Sequence, residues 1–138
     1  MDSHFLALKQ ACARLTKVAS AEAQAAAGLH GAQAQALLML PERGGCKISH
    51  LGKRLDLGKP ATTTLVARME KASLLCRRPA DDDARASILE LTPAGRKART
   101  KVTWMIAAFD RALVDGFTAR EVKVIETYLA RAGQLEKL

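Results

Sequence analysis

Apolar residues recur at helical spacing from the start of the chain: Phe5, Leu8, Cys12, Leu15, Ala19 and Ala23 fall on one face of a helix. The spacing predicts a first helix over about residues 3–26, with Asp2 or Ser3 as its N-cap and Gly28 closing it. A second helix is predicted over about residues 31–40, and Pro41, Gly44 and Gly45 break it. In a short third helix Ile48, Leu51 and Leu55 form the apolar stripe, Ser49 stands near the start, and Lys53 and Arg54 lie off the stripe. The run Leu57-Gly58-Lys59-Pro60 then reads as a tight turn, with proline in the first turn of the next helix, where its missing N–H costs nothing.

That fourth helix is predicted over about residues 59–72. Leu65, Met69 and Ala72 face the core with Val66 beside them, while Thr63, Thr64, Arg68 and Lys71 face outward. Two helices joined by so short a turn, the second polar and basic on its outer face, match a helix-turn-helix. Residues 74–78 and 87–91 read as short strands, separated by a loop, residues 79–86, too long for a tight hairpin. A hairpin directly after a helix-turn-helix is a wing. Thr92-Pro93 opens a long helix with apolar positions Val102, Met105, Ile106, Phe109 and Leu113, ending near Gly116. Thr118-Ala119-Arg120-Glu121 is a capping-box pattern that opens a last helix through Tyr128 to about Leu135.

Composition adds two constraints. Aromatics make up 4% of the 138 residues, so the core must be built from Leu, Ala, Val and Ile, which suits a mainly α protein with a small wing. The net charge of +8, from 22 basic and 14 acidic residues, favours a polyanionic partner. Cys12, Cys46 and Cys76 form no CxxC pair, a poor disulfide framework that fits a reducing compartment. No apolar run reaches the roughly 20 residues needed to span a bilayer. The first residues lack the layout of a signal peptide. A cytoplasmic protein with no membrane partner is expected.

The order helix, helix, helix-turn-helix, wing, long helix resembles the multiple-antibiotic-resistance regulator (MarR) family over nearly the whole chain. The most specific part is Asp83-Ala84-Arg85-Ala86 followed by Leu89-Glu90-Leu91-Thr92-Pro93-Ala94-Gly95. It is similar to the family's wing signature, an Asp-x-Arg-Ala turn before a strand and then Leu-Thr-x-x-Gly. The sequence departs from the family pattern at Gly58, usually Ser or Thr, at Ser73, commonly Gly, and at His30, frequently Thr.

The resemblance implies a single MarR-like domain over residues 1–138 that forms a homodimer. Residues of about 1–28 and 96–138 supply the dimerisation helices, and about 30–95 the winged helix-turn-helix. It further implies a repressor that binds an inverted repeat in double-stranded DNA and is released by a small-molecule inducer or by thiol oxidation. Arg85 at the wing tip is the first candidate for the minor groove, with Asp83 holding its guanidinium. Lys59, Thr63, Thr64 and Arg68 are candidates for the major groove, and Lys53, Arg54, Arg77 and Arg78 for phosphates. Asp81 and Asp82 are then expected to point to solvent. Cys76, beside Arg77 and Arg78, is a redox candidate. So is Cys12, because a peroxide-sensing branch of the family carries a reactive cysteine near the N-terminus. Trp104, Met105 and Phe109 are candidates for a ligand cavity, although at helical spacing such residues are more often plain core.

No cofactor or metal is expected, since His4, His30 and His50 are scattered without a ligand pattern. An enzyme would need a constellation that is absent: no phosphate-cradling glycine loop, no nucleophile with a histidine partner, no paired carboxylates. The alternatives to a sequence-specific regulator are a winged-helix protein-interaction adaptor and a non-specific DNA-binding protein.

Overall fold

The computed structural model describes residues 3–136, so Asp2, the other option for the first cap, lies outside the described residues. The elements run α1 (His4–Ala27), α2 (Gly31–Met39), β1 (Cys46–Lys47), α3 (Ile48–Arg54), α4 (Lys59–Lys71), β2 (Leu75–Pro79), β3 (Ser87–Leu91), α5 (Pro93–Val114) and α6 (Ala119–Gly133). The chain divides into two compact units, with the boundary after Met105 inside α5.

Helix ends follow local chemistry. Ser3 Oγ accepts the Leu6 N–H at 3.3 Å, and Gly28 closes α1 at φ 65°. At α6 the Thr118 hydroxyl accepts the Glu121 N–H at 3.2 Å while the Glu121 carboxylate accepts the Thr118 N–H at 2.8 Å. These bonds hold the Glu121 carboxyl below the usual carboxylate range, the Thr118 backbone N–H contributing most. The capping contribution is therefore present above the ordinary carboxylate pKa and is lost as pH falls through the lowered one.

The wing is a three-stranded antiparallel sheet of order β1-β3-β2. Two strands were expected here; the third, β1, pairs Cys46 with Leu89 and Lys47 with Ile88. Two residues are too few to show an alternating pattern, so β1 has no signal in the sequence. β2 begins at Leu75, one residue later than expected, and pairs Leu75 with Leu91 through Pro79 with Ser87.

The core of the first unit collects Ala36, Leu37, Leu40, Leu51, Val66, Met69, Leu89 and Val102. On α4 the expected face is shifted: Ala72 is exposed, and Thr62 is buried instead. The Thr62 hydroxyl donates to the Gly58 carbonyl at 2.9 Å, which satisfies it inside the core. In the second unit no residue of α6 is buried, and its Val124, Tyr128 and Leu129 are exposed. Among the described residues no helix is long and apolar enough to cross a membrane.

Candidate nucleic-acid interface

The turn between α3 and α4 is set by Asp56, in a left-handed conformation at φ 53°, and by the Leu57 N–H, which donates to Gly52 O at 2.9 Å. Gly58 is the N-cap of α4 with an extended backbone, and Pro60 sits in the first turn. Lys53, Lys59, Thr63, Thr64 and Arg68 are all exposed. The two threonine hydroxyls donate backward, Thr63 to Lys59 O at 2.9 Å and Thr64 to Pro60 O at 3.0 Å. Their oxygens keep lone pairs for an outside donor. A cleft of 310 Å³ between α3 and α4 is lined by the polar Ser49, Lys53, Lys59 and Thr63 and the apolar Ile48 and Leu57.

Arg54 stands apart from this group. Its Nη1 donates to Met39 O at 2.8 Å, at the C-terminal end of α2. No basic residue lies in the last turn of α2. The missing charge comes instead from Arg54 and from Arg99, whose Nε donates to Leu37 O at 3.1 Å. A cation on the last carbonyls of a helix complements its dipole. Arg54→Ala is therefore expected to lower stability by about 1 kcal/mol. DNA affinity of the folded fraction should stay within about twofold of wild type, as titration against a duplex at fixed salt would reveal.

Ser73, directly after the α4 C-cap Ala72, has φ 58°. A side chain in that region costs about 1 kcal/mol relative to glycine. Ser73→Gly is expected to raise stability by up to about 1 kcal/mol, seen as a higher urea midpoint with an unchanged slope.

The wing reverses the expected charge pairing. Asp83 Oδ1 accepts from the backbone N–H of Arg85 at 2.9 Å and so shapes the turn instead of holding the guanidinium. Asp81 and Asp82, expected to point to solvent, are 98% and 70% exposed, and each also has a cation nearby: Asp81 lies 3.7 Å from Arg78 Nη1, and Asp82 lies 3.1 Å from Lys47 Nζ. Arg77 pairs with Glu70 at 2.5 Å. Arg78 pairs across the sheet with Glu90 at 2.7 Å, a diagonal neighbour because Cys76 is the residue opposite Glu90. Both expected phosphate contacts on β2 thus already hold a carboxylate. Arg85 is exposed, and among the described residues it forms no ion pair; the same is true of Lys53, Lys59 and Arg68. Lys47 is a wing residue that sequence reasoning passed over, since its role depends on the unsignalled strand β1.

Cys12 and Cys76 are both exposed, Cys12 on a face of α1 that the spacing had turned inward. Cys46 is half-buried, and burial pushes its thiol pKa up, with Arg54 pulling weakly the other way. Of the proposed ligand-cavity residues, Trp104 is 72% exposed, while Met105 and Phe109 are half-buried. Among the described residues no group of three or more His, Cys, Asp or Glu side chains is placed to hold a metal.

A short helix-turn-helix with an outward cationic face, followed by a sheet whose loop carries an exposed arginine, defines a winged helix-turn-helix protein. Known proteins agree. The model of the MarR family matches residues 27–86. The fold is similar to that of MepR from S. aureus, solved as a DNA complex: 18% identity, TM-score 0.83, covering 95% of this chain and 97% of that one. It is similar to a probable transcriptional regulator from Pseudomonas aeruginosa at 26% identity and TM-score 0.77, covering 95% and 97%. It is also similar to the PcaV regulator from Streptomyces coelicolor, solved with its natural ligand, at 20% identity and TM-score 0.76, covering 99% and 100%. No curated protein sequence matches the chain. The family model thus covers the helix-turn-helix and the wing loop, and the fold over nearly the whole chain is similar to that of solved MarR-type regulators.

Proposed function

We propose that the chain is a homodimeric repressor that binds an inverted-repeat operator in double-stranded DNA and lets go when a small-molecule inducer binds or a thiol is oxidised. The observation that carries the DNA reading is the distribution of free charge. Lys53, Lys59 and Arg68 on the helix-turn-helix and Arg85 on the wing are exposed and unpaired among the described residues, whereas Arg54, Arg77 and Arg78 are occupied. Lys59, Thr63, Thr64 and Arg68 would face base edges in the major groove. Arg85, with Asp83 shaping its turn, would enter the minor groove. Lys53 would meet phosphates, joined by Arg77 and Arg78 only where a phosphate displaces their carboxylates.

The dimer reading rests on apolar side chains left exposed outside the winged helix: Phe5, Leu6 and Val18 on α1 and Val124, Tyr128 and Leu129 on α6. Such surfaces mark association sites. Residues of about 1–28 and 96–138 would dimerise, and about 30–95 would hold the DNA. PcaV was solved with its natural ligand, which supports a ligand for this chain, with Trp104, Met105 and Phe109 as candidate lining. Exposed Cys12 and Cys76 are the groups an oxidant would reach first.

Selection from random duplex DNA with the reduced protein at near-physiological salt is the test. An inverted repeat with half-sites about 10 bp apart is the expected result. Salt-sensitive binding without sequence preference would overturn the operator reading.

A further inference from the structure

Three consecutive aspartates in the wing loop sit beside a surface proposed to meet phosphates, a placement that simple electrostatics disfavours. Asp83 folds the Arg85 turn and Asp81 lies against Arg78 at the base of the same hairpin. Asp82 does something different. Its Oδ2 accepts from Lys47 Nζ at 3.1 Å, across 35 residues of sequence.

Lys47 is the last residue of β1 and the N-cap of α3. It is therefore fixed at once by the sheet, opposite Ile88, and by the start of the helix-turn-helix. The other polar contacts of the loop stay within the β2–β3 hairpin: the Ala80 N–H donates to Ala86 O, the Ala86 N–H to Asp83 O, and the Arg85 N–H to the Asp83 side chain. Among the described residues, the Lys47–Asp82 bond is thus the loop's one polar tie to a segment outside the β2–β3 hairpin. The Lys47 bond also holds the Asp82 carboxyl below the usual carboxylate range, so the carboxylate is charged at neutral pH.

We propose that Asp82 is a positioning residue for DNA binding: its bond to Lys47 holds the wing loop against the strand leading into α3 and so sets where Arg85 meets DNA relative to α4. This rests on the DNA-binding reading of Arg85 and adds a role for a carboxylate that the reading leaves unexplained. The bond is solvent-exposed, and exposed pairs act weakly. A small effect of defined sign is therefore the prediction.

The sign separates positioning from repulsion. Removing a negative charge near DNA should tighten binding to every duplex if repulsion is all that Asp82 contributes. If Asp82 positions the loop, Asp82→Asn should weaken binding to the selected operator by about threefold and leave random duplex DNA unchanged or slightly tighter. Asp81→Asn is the matched control, removing the same charge one residue away from a side chain that is 98% exposed.

The experiment is fluorescence anisotropy with labelled operator and random duplexes, on wild type, both single variants, the charge exchange Lys47→Asp/Asp82→Lys, and Asp82→Asn in an Arg85→Ala background. Three results are expected together: operator-selective loss in Asp82→Asn but not Asp81→Asn, at least partial recovery in the exchange, and no further loss once Arg85 is gone. Equal tightening on both duplexes in the two Asn variants overturns the proposal. So does an Asp82→Asn loss that persists undiminished without Arg85. A wild type that selects no operator would bring down the functional reading itself, and is distinguishable because it fails before any variant is compared.

Discussion

Replacing Gly95 by alanine is expected to lower the melting temperature by roughly ten degrees or more, the largest stability effect of any single methyl added to this chain. An ideal Cβ at Gly95 would lie 1.8 Å from the Leu74 carbonyl oxygen and 2.9 Å from its carbon. Both atoms are backbone, so no side chain can swing aside. The surrounding bonds make the backbone itself hard to move. The Thr92 N–H donates to that same Leu74 carbonyl at 3.1 Å. The Thr92 hydroxyl donates to Ser73 O at 2.6 Å and accepts the Gly95 N–H at 2.9 Å. One threonine thus joins the start of α5 to the segment leaving α4, and Gly95 is the residue that lets them touch.

Opening this joint by an ångström or more breaks several of those bonds and unseats the buried Leu74 and Gly95. The cost is on the order of 3–5 kcal/mol, a large share of a small domain's stability. Circular-dichroism melts provide the measurement. Gly133→Ala is the control, because nothing lies within 4 Å of its added Cβ; its stability should be equal or slightly higher. A Gly95→Ala protein melting within two degrees of wild type would show that the joint is far softer than its geometry implies.

Arg85→Ala carries the second large effect, on binding and not on folding. The side chain is exposed and makes no ion pair among the described residues, and its turn is held by a backbone bond that alanine retains. Stability should therefore change by less than about 0.5 kcal/mol. Operator affinity should fall about tenfold or more, and the slope of log affinity against log salt should become shallower by about one unit. Arg85→Lys separates two parts of that loss. Lysine keeps the charge but presents no planar fork. Preference for A·T-rich DNA beneath the wing should weaken in the lysine variant while the salt slope stays near wild type. An alanine variant that binds operator as tightly as wild type would remove Arg85 from the interface.

What was legible in the sequence is what neighbours within one or two turns decide. Ser3, Gly28, Thr92-Pro93 and the Thr118–Glu121 box each bond to groups a few residues away, so their residue types suffice to mark the helix ends. The order of helices and the wing signature followed from the same local rules, and with them the likeness to the MarR family. Only the tertiary structure decided which charges are free. Arg54 and Met39 are 15 residues apart, Lys47 and Asp82 are 35 apart, and no local rule links either pair. The exchange of Ala72 for Thr62 at the core face of α4 likewise depends on what packs against that helix. Helical periodicity assigns a face only to within a residue or two, and the neighbouring elements settle the remainder. The two-residue strand β1 exists because β3 offers it an edge, which is a property of the fold and not of Cys46 and Lys47 themselves.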